Sequence, residues 1–306
     1  MNLLFVLLLL NPLSNSYSDH LSLIHKGDLV DSLSRDEFVL PPFKHLINNN
    51  KLNQYINKLE KEVYEEPVAA YIDEYGKIIP DIPGQKLDKK QFLASFYSYF
   101  FTTGPASMEI PVNLIYAKVD SELLANIRTK RISSYITYFN SQNHPRTHNI
   151  ELATKAINNY VIFPGERFSF NQVVGKRTIE KGYLPAPVIV KGEVTEGVGG
   201  GICQVSSTLF NAVDKATVQI IQRYSHSKRV PYVPPNRDAT VSWYGPDFIF
   251  KNQHNQPLLI QAKVSGGQLI VDIYSSEDIH IEKKREVPNA PKKLPSEVDT
   301  NKHILD

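Results

Sequence analysis

Cysteine is almost missing from this chain: Cys203 is the only one in 306 residues. A lone thiol forms no disulfide within the chain, so the fold is not stapled that way. Charge of one sign is missing as well. The 34 Lys and Arg nearly balance 32 Asp and Glu, leaving a formal net charge of +2. No basic stripe interleaves with aromatics, which argues against nucleic acid as a partner. Long apolar runs are absent too. The longest, residues 3–10, reaches about 12 Å as a helix, well short of the roughly 30 Å hydrocarbon core.

What is present is an ordinary globular composition, 42% hydrophobic and 22% charged, on a chain long enough for two domains. The short apolar run, followed by Asn11-Pro12 and a Ser/Asn stretch, fits a signal peptide over residues 1–18. Ser14, Ser16 and Ser18 offer small residues for cleavage, although no Lys or Arg precedes the run. The expected location is therefore secreted or envelope-associated, outside the cytoplasm, with membrane contact only through an uncleaved leader. An exported chain that keeps one thiol either buries it inertly or uses it.

Residues 19–50 show no clear period and read as a linker. Leu52, Tyr55, Ile56, Leu59 and Val63 recur at helical spacing. A hairpin is expected around Glu74-Tyr75-Gly76, and a second helix begins at Asp88, a plausible cap. Ile110, Val112, Leu114 and Tyr116 alternate as in a strand. Residues 51–140 thus form a small α+β module. The polar stretch around His144-Pro145 marks the boundary of a second domain, residues 145–275, which opens with a helix from Ile150 capped by Asn149. Alternating Phe248/Phe250, Leu258/Ile260/Ala262/Val264 and Leu269/Val271/Ile273 predict a β-meander with its tightest turn at Gly266-Gly267. Residues 276–306 are charged and proline-containing, and read as a disordered tail.

The chemistry concentrates at residues 197–212. Ile202, Val205, Leu209 and Ala212 give a helical apolar stripe, and Cys203 falls in the first turn of that helix, directly after Gly199-Gly200-Gly201. Unpaired N–H groups and the positive end of the helix dipole favour a thiolate there. Glycines without Cβ atoms let backbone and substrate approach closely, and amides around Gly200, Gly201 and Gln204 are candidates for an oxyanion hole. The alternative is a small buried hydrophobe beside a flexible turn. His226, expected beyond a strand beside the helix, is the candidate base. Asp238 would either orient His226 or pair with Arg237, and Arg237 would otherwise clamp a substrate carboxylate. Arg177 is a second candidate carboxylate holder, and Ser207 a pocket residue. His144 and His148 have ligand-like spacing but no third partner nearby, so no metal site and no cofactor are expected.

The run Pro164-Gly165-Glu166-Arg167-Phe168-Ser169-Phe170-Asn171, then Gly175-Lys176-Arg177-Thr178 and Gly182-Tyr183, resembles the VanW domain. Residues 199–212, His226-Ser227, Val233-Pro234-Pro235, Arg237-Asp238-Ala239-Thr240 and Asp247-Phe248 are similar to its remaining motifs. Asn236 departs from a glycine common in the family, which alters only a turn. The family is named for proteins accompanying glycopeptide resistance in Gram-positive bacteria. The resemblance implies an L,D-transpeptidase that joins peptidoglycan stem peptides, with the matching cysteine as nucleophile. The module at 51–140 resembles, by layout, the peptidoglycan-binding module that often precedes VanW domains. The expectation is an exported α+β protein whose Cys-bearing helix packs on a largely antiparallel sheet. Alternatives are a non-catalytic wall-binding accessory protein and a thiol peptidase that trims stem peptides.

Overall fold

The computed structural model describes residues 19–190, 193–281 and 285–292. The expected leader at 1–18 and the chain beyond residue 292 lie outside the described residues. The chain divides into two units, one from Met1–Ala69 with Asp81–Lys118, the other from Ala70–Pro80 with Val119–Asp306.

In the first unit the stretch expected to be linker is built into the fold. His20–His25 pairs antiparallel with Asp28–Ser34 and parallel with Ala106–Glu109. Leu21, Leu23, Leu33 and Phe38 bury their side chains in the same core as Phe92 and Phe96. Burying such apolar groups contributes about 2 kcal/mol apiece, enough to hold a segment whose polar residues blur its period. Helix α1, Asn49–Val63, is capped by Asn48, whose side chain accepts from the Lys51 amide. It buries Leu52, Ile56, Leu59 and Val63, the spacing seen in the sequence. Helix α2, Lys89–Phe100, starts at Asp88, which accepts from Gln91.

The second unit begins earlier than the sequence boundary. The short hairpin Tyr71–Ile72 with Ile78–Ile79, helix α3 (Ser121–Ile127) and the strand Lys130–Tyr138 all belong to it. That strand is the edge of a four-stranded antiparallel sheet, in the order Lys130–Tyr138, Gln268–Ser275, Leu258–Ser265, Val161–Ile162. The last two long strands are joined at Gly266-Gly267, as the turn signal predicts. The expected meander is broken, however. Ile249–Lys251 leaves it to pair with Arg167–Ser169 and Gln219–Gln222 in a second sheet. Phe168 and Phe250 stack across that pair, centroids 4.8 Å apart.

Helix α4 spans His144–Ile157, six residues longer at its start than expected. Asn143 is its cap and Pro145 sits in its first turn, where a missing N–H is harmless. The His144-Pro145 pair therefore begins a helix and does not separate domains. Helix α5, Phe170–Val174, and the antiparallel hairpin Pro185–Val190 with Glu193–Val198 follow. Helix α6, Ile202–Lys215, packs against the strands Lys130–Tyr138 and Gln268–Ser275 and against α4. The fold is α+β, with the cysteine-bearing helix on a largely antiparallel sheet.

The segment after Ser276 is also different from a free tail. Ile279 and Ala290 are buried in the second unit's core, and Ile281 and Val287 pack against it. Its few apolar residues are spaced to drop into that core, while Arg285 and Glu286 between them are exposed.

Candidate active site

Cys203 stands in the first turn of α6, behind a cap made by Gly201 with φ of 104°. Only a residue without Cβ takes that conformation cheaply. Gly200 is needed for another reason. A Cβ there would lie 2.6 Å from the backbone of Ala186 and Pro187, so it is the neighbouring strand, and not a substrate, that uses the space. Asn149, expected to cap α4, instead lies fully buried in its middle and ties this turn down. Its Nδ2 donates to the carbonyls of Leu184 and Gly200 at 2.9 and 3.0 Å, and its Oδ1 accepts from the Leu184 amide at 2.8 Å.

The segment 223–241 brings the other groups. Asp238 Oδ2 accepts from both the backbone amide and Nδ1 of His226, each at 2.6 Å. The two side chains are only 5% and 9% exposed. With Nδ1 held, Nε2 is the ring nitrogen left for the thiol, and His226 is the foremost charged group acting on Cys203. The sulfur also contacts the Thr240 hydroxyl at 3.8 Å and the Val241 carbonyl at 3.6 Å. Cys203 as a residue is half-buried. His226 lies beyond the strand Gln219–Gln222, on the loop, and is fixed by Asp238 and by the Thr240 amide donating to Tyr224 at 2.8 Å.

Electrostatics follow from this arrangement. Burial alone raises the Cys203 pKa, but the hydrogen bond and charge of His226, helped by Val241 and Thr240, outweigh it and the net direction is down. Burial alone lowers that of His226; the bonds to Asp238 and Cys203 reverse it and carry it to about 9. For Asp238 burial pushes up and the His226 bonds pull down further, so it stays ionised. Both directions favour a thiolate–imidazolium pair near neutral pH.

Other expected residues serve the frame. Ser207, fully buried, donates to the Cys203 carbonyl at 2.6 Å and accepts from the Ala239 amide at 2.9 Å, clamping the Thr240 segment to α6. It is a positioning residue and does not face a pocket. The Gln204 amide is committed to the Gly201 carbonyl at 3.0 Å. Its side chain accepts from Arg146 at 2.7 Å and donates to Thr137 and Tyr138, each at 3.0 Å. The Ile202 amide bonds to Gly199. The oxyanion donors expected of this turn therefore narrow to the Cys203 amide and those beside it in Gly200 and Gly201. Arg237 is also spent elsewhere. Its Nε donates to Asn211 at 2.7 Å and its terminal nitrogen to Asp214 at 2.8 Å, and its plane lies 4.6 Å from the Phe210 ring. It pairs with Asp214, neither with Asp238 nor with an open site. Arg177, by contrast, has no hydrogen-bond partner on either terminal nitrogen among the described residues, and Cys203 is the foremost charge acting on it.

Thr240, Tyr232 and Arg146 were not singled out by sequence. Tyr232 is buried in the core of this unit, and burial raises its pKa well above the usual value. Each lies far along the chain from Cys203 or on another helix, with no local pattern to mark it. Among the described residues no group of three or more His, Cys, Asp or Glu is placed to hold a metal. Asn236 has φ of 61°, so the residue at the family's glycine position takes the left-handed turn that asparagine tolerates.

A family model described as VanW like protein matches residues 145–274. YoaR, an uncharacterized protein of Bacillus subtilis (strain 168), is 53% identical over 282 residues, 92% of this chain and 93% of its own. The vancomycin B-type resistance protein VanW of Enterococcus faecalis (strain ATCC 700802 / V583) is 29% identical over 135 residues, 42% of this chain and 49% of its own. No solved structure matches. With the glycine–cysteine turn inside the matched region and a relative aligned along nearly the whole length, this chain belongs to the VanW-like protein family.

Proposed function

We propose that this is an exported cell-wall protein that transfers acyl groups between peptidoglycan stem peptides, with Cys203 as nucleophile, His226 as base and acid, and Asp238 as its anchor. The observation that carries this reading is a thiol in the first turn of α6 under the charge of a histidine whose Nδ1 is held at 2.6 Å by a buried carboxylate. That is the layout of a thiol acyl-transfer site. The wall setting draws on the resistance protein among its relatives. The first unit, which displays exposed Phe43, Leu46 and Phe101, is proposed to hold peptidoglycan.

In the acylation step the Cys203 sulfur bonds to a stem-peptide carbonyl carbon. The developing oxyanion is met by the Cys203 amide and the positive end of α6. The carbon–nitrogen bond then breaks, and His226 gives its proton to the leaving amine. An amine of a second stem next attacks the thioester and yields its proton to His226, which restores the thiolate pair and completes an L,D-transpeptidase-type exchange.

The test is incubation of the full chain, wild type beside Cys203→Ala, with disaccharide tetrapeptides, read by mass spectrometry. A cross-linked dimer from wild type alone is expected. Trimmed monomer would make the enzyme a thiol peptidase, and no adduct or product would leave a non-catalytic wall-binding protein.

A further inference from the structure

Arg177 is unusual among the charged residues near the thiol. Both terminal nitrogens are shut off from water, and neither finds a hydrogen-bond acceptor among the described residues. A guanidinium carries five donors and stays charged, so an unmatched one in such a place is expensive and calls for a missing anion. The nearby carboxylate, Asp247, does not fill the gap. It already accepts from Ser169 Oγ at 2.6 Å, the Asn171 amide at 2.9 Å and the Phe248 amide at 2.7 Å. Tyr183, the other acidic group acting on Arg177, is itself neutral, since burial raises its pKa. The guanidinium also lies 5.8 Å from the Phe170 ring.

The arginine is also seated at the site. Its Cβ and Cγ lie 3.2 and 3.4 Å from where a Cβ on Gly199 would be, two residues before the cap of α6. Any side chain at 199 would push it away, and φ of 89° at that glycine disfavours one as well.

We propose that Arg177 is the anchor for a free carboxylate of the acyl donor, on the residue that departs when Cys203 attacks. Extending the acyl-transfer reading above, this assigns the substrate class as acyl donors ending in one residue with an unblocked α-carboxylate. Such a carboxylate lies about 3.5 Å of chain from the attacked carbonyl. A bidentate pair with it would orient the leaving group and release its charge with the product. Donors with an amidated end, or with a further residue, would lack that pair.

Two small alkylating reagents isolate the anchor from the rest of the reaction. Iodoacetate carries a carboxylate and iodoacetamide does not. With each the Cys203 sulfur bonds to the methylene and iodide leaves. In the full chain the iodoacetate-to-iodoacetamide rate ratio should exceed that of free cysteine. Arg177→Gln should lower the ratio tenfold or more, whatever it does to the iodoacetamide rate, which reports the thiolate alone, and Arg177→Lys should recover part of the ratio. A wild-type ratio no higher than free cysteine overturns the proposal, and this needs no variant to fold. Equal slowing of both reagents by Arg177→Gln also overturns it, because the arginine would then act only on the thiolate. Failure of the acyl-transfer reading shows differently, as an iodoacetamide rate no faster than an ordinary thiol's. A final arm compares tetrapeptides with free and amidated C-termini. Wild type should form the thioester at least tenfold faster from the free acid, and Arg177→Gln should not discriminate; equal rates in wild type refute the anchor.

Discussion

One oxygen of Asp238 holds His226 twice, through its backbone amide and through Nδ1. The ring is thereby fixed in both position and tautomer before any substrate arrives. The charge consequences have definite signs. Cys203 is depressed, so its alkylation rate should climb with pH along a limb lying below the ordinary thiol range. His226 is raised to about 9, so the imidazolium partner is lost, and the profile should break a second time, near that pH. The same raised value stabilises the fold fully below the ordinary histidine pKa, and that contribution fades as pH climbs through about 9. Asp238→Asn should shift the first limb upward and cut thioester formation roughly 100-fold, the usual scale for a mispositioned base. Stopped-flow alkylation across pH 5–10 checks both, and a profile unchanged by the substitution would remove Asp238 from the anchor role. Cys203 was legible because the glycines and the helical stripe around it are neighbours in sequence. His226 and Asp238 were legible as a candidate pair, but the choice between that pairing and one of Asp238 with Arg237 was not, because it depends on a loop fold with no period. The opposite fate of Arg237 came from Asn211 and Asp214, eight and eleven residues along α6 from the cysteine, whose helix face the sequence does not reveal as buried.

At the level of elements, α6 shows why a polar face misleads. Gln204, Ser206, Ser207, Thr208 and Asn211 interrupt an apolar stripe and suggest a solvated side, yet all five are fully buried. Each is matched: Ser206 donates to the Ala239 carbonyl at 2.5 Å, Thr208 meets Thr137 at 2.8 Å, and Asn211 donates to the Ser207 and Arg237 carbonyls at 2.7 Å. Satisfied polar groups at such density fix the helix in one rotation and so aim the thiol. Asn149 does the same for the turn before it. Asn149→Ala leaves two carbonyls and one amide without their partner, and should cost about 3 kcal/mol. Urea unfolding should show a lower midpoint at unchanged slope, with slower alkylation of Cys203. An unchanged midpoint would mean the glycine turn holds itself. Helix α2 was read correctly because cap and period agree there, and α1 was read from its period alone, its cap Asn48 having been assigned to the linker. The start of α4 was missed because Pro145 signals a break and a helix start equally well.

The described residues form three hydrophobic clusters, and the residues that look least structured in sequence close the two larger ones. In the first unit these are Leu21, Leu23, Leu33 and Phe38. In the second they come from the charged stretch after Ser276, where composition outvoted a few well-spaced apolar residues. Arg285 donates to Asp214 at 2.7 Å, completing the same carboxylate that binds Arg237, and the Tyr135 hydroxyl donates to the Pro288 carbonyl at 2.9 Å. Val287 and Ala290 cover the core beside them. Ending the chain at Ile281 removes that cover and leaves Tyr135 without its acceptor, a loss of about 3 kcal/mol from apolar area and one buried hydrogen bond. The urea midpoint of the second unit should fall accordingly. The iodoacetamide rate of Cys203 at neutral pH should stay within threefold of the full chain, since none of the described residues removed, 285–292, is bonded to His226, Asp238 or Thr240. A truncated chain as stable as the full one would show that residues 285–292 contribute no packing, and a truncated chain with an unreactive thiol would show that the Asp214 network reaches the catalytic turn through α6.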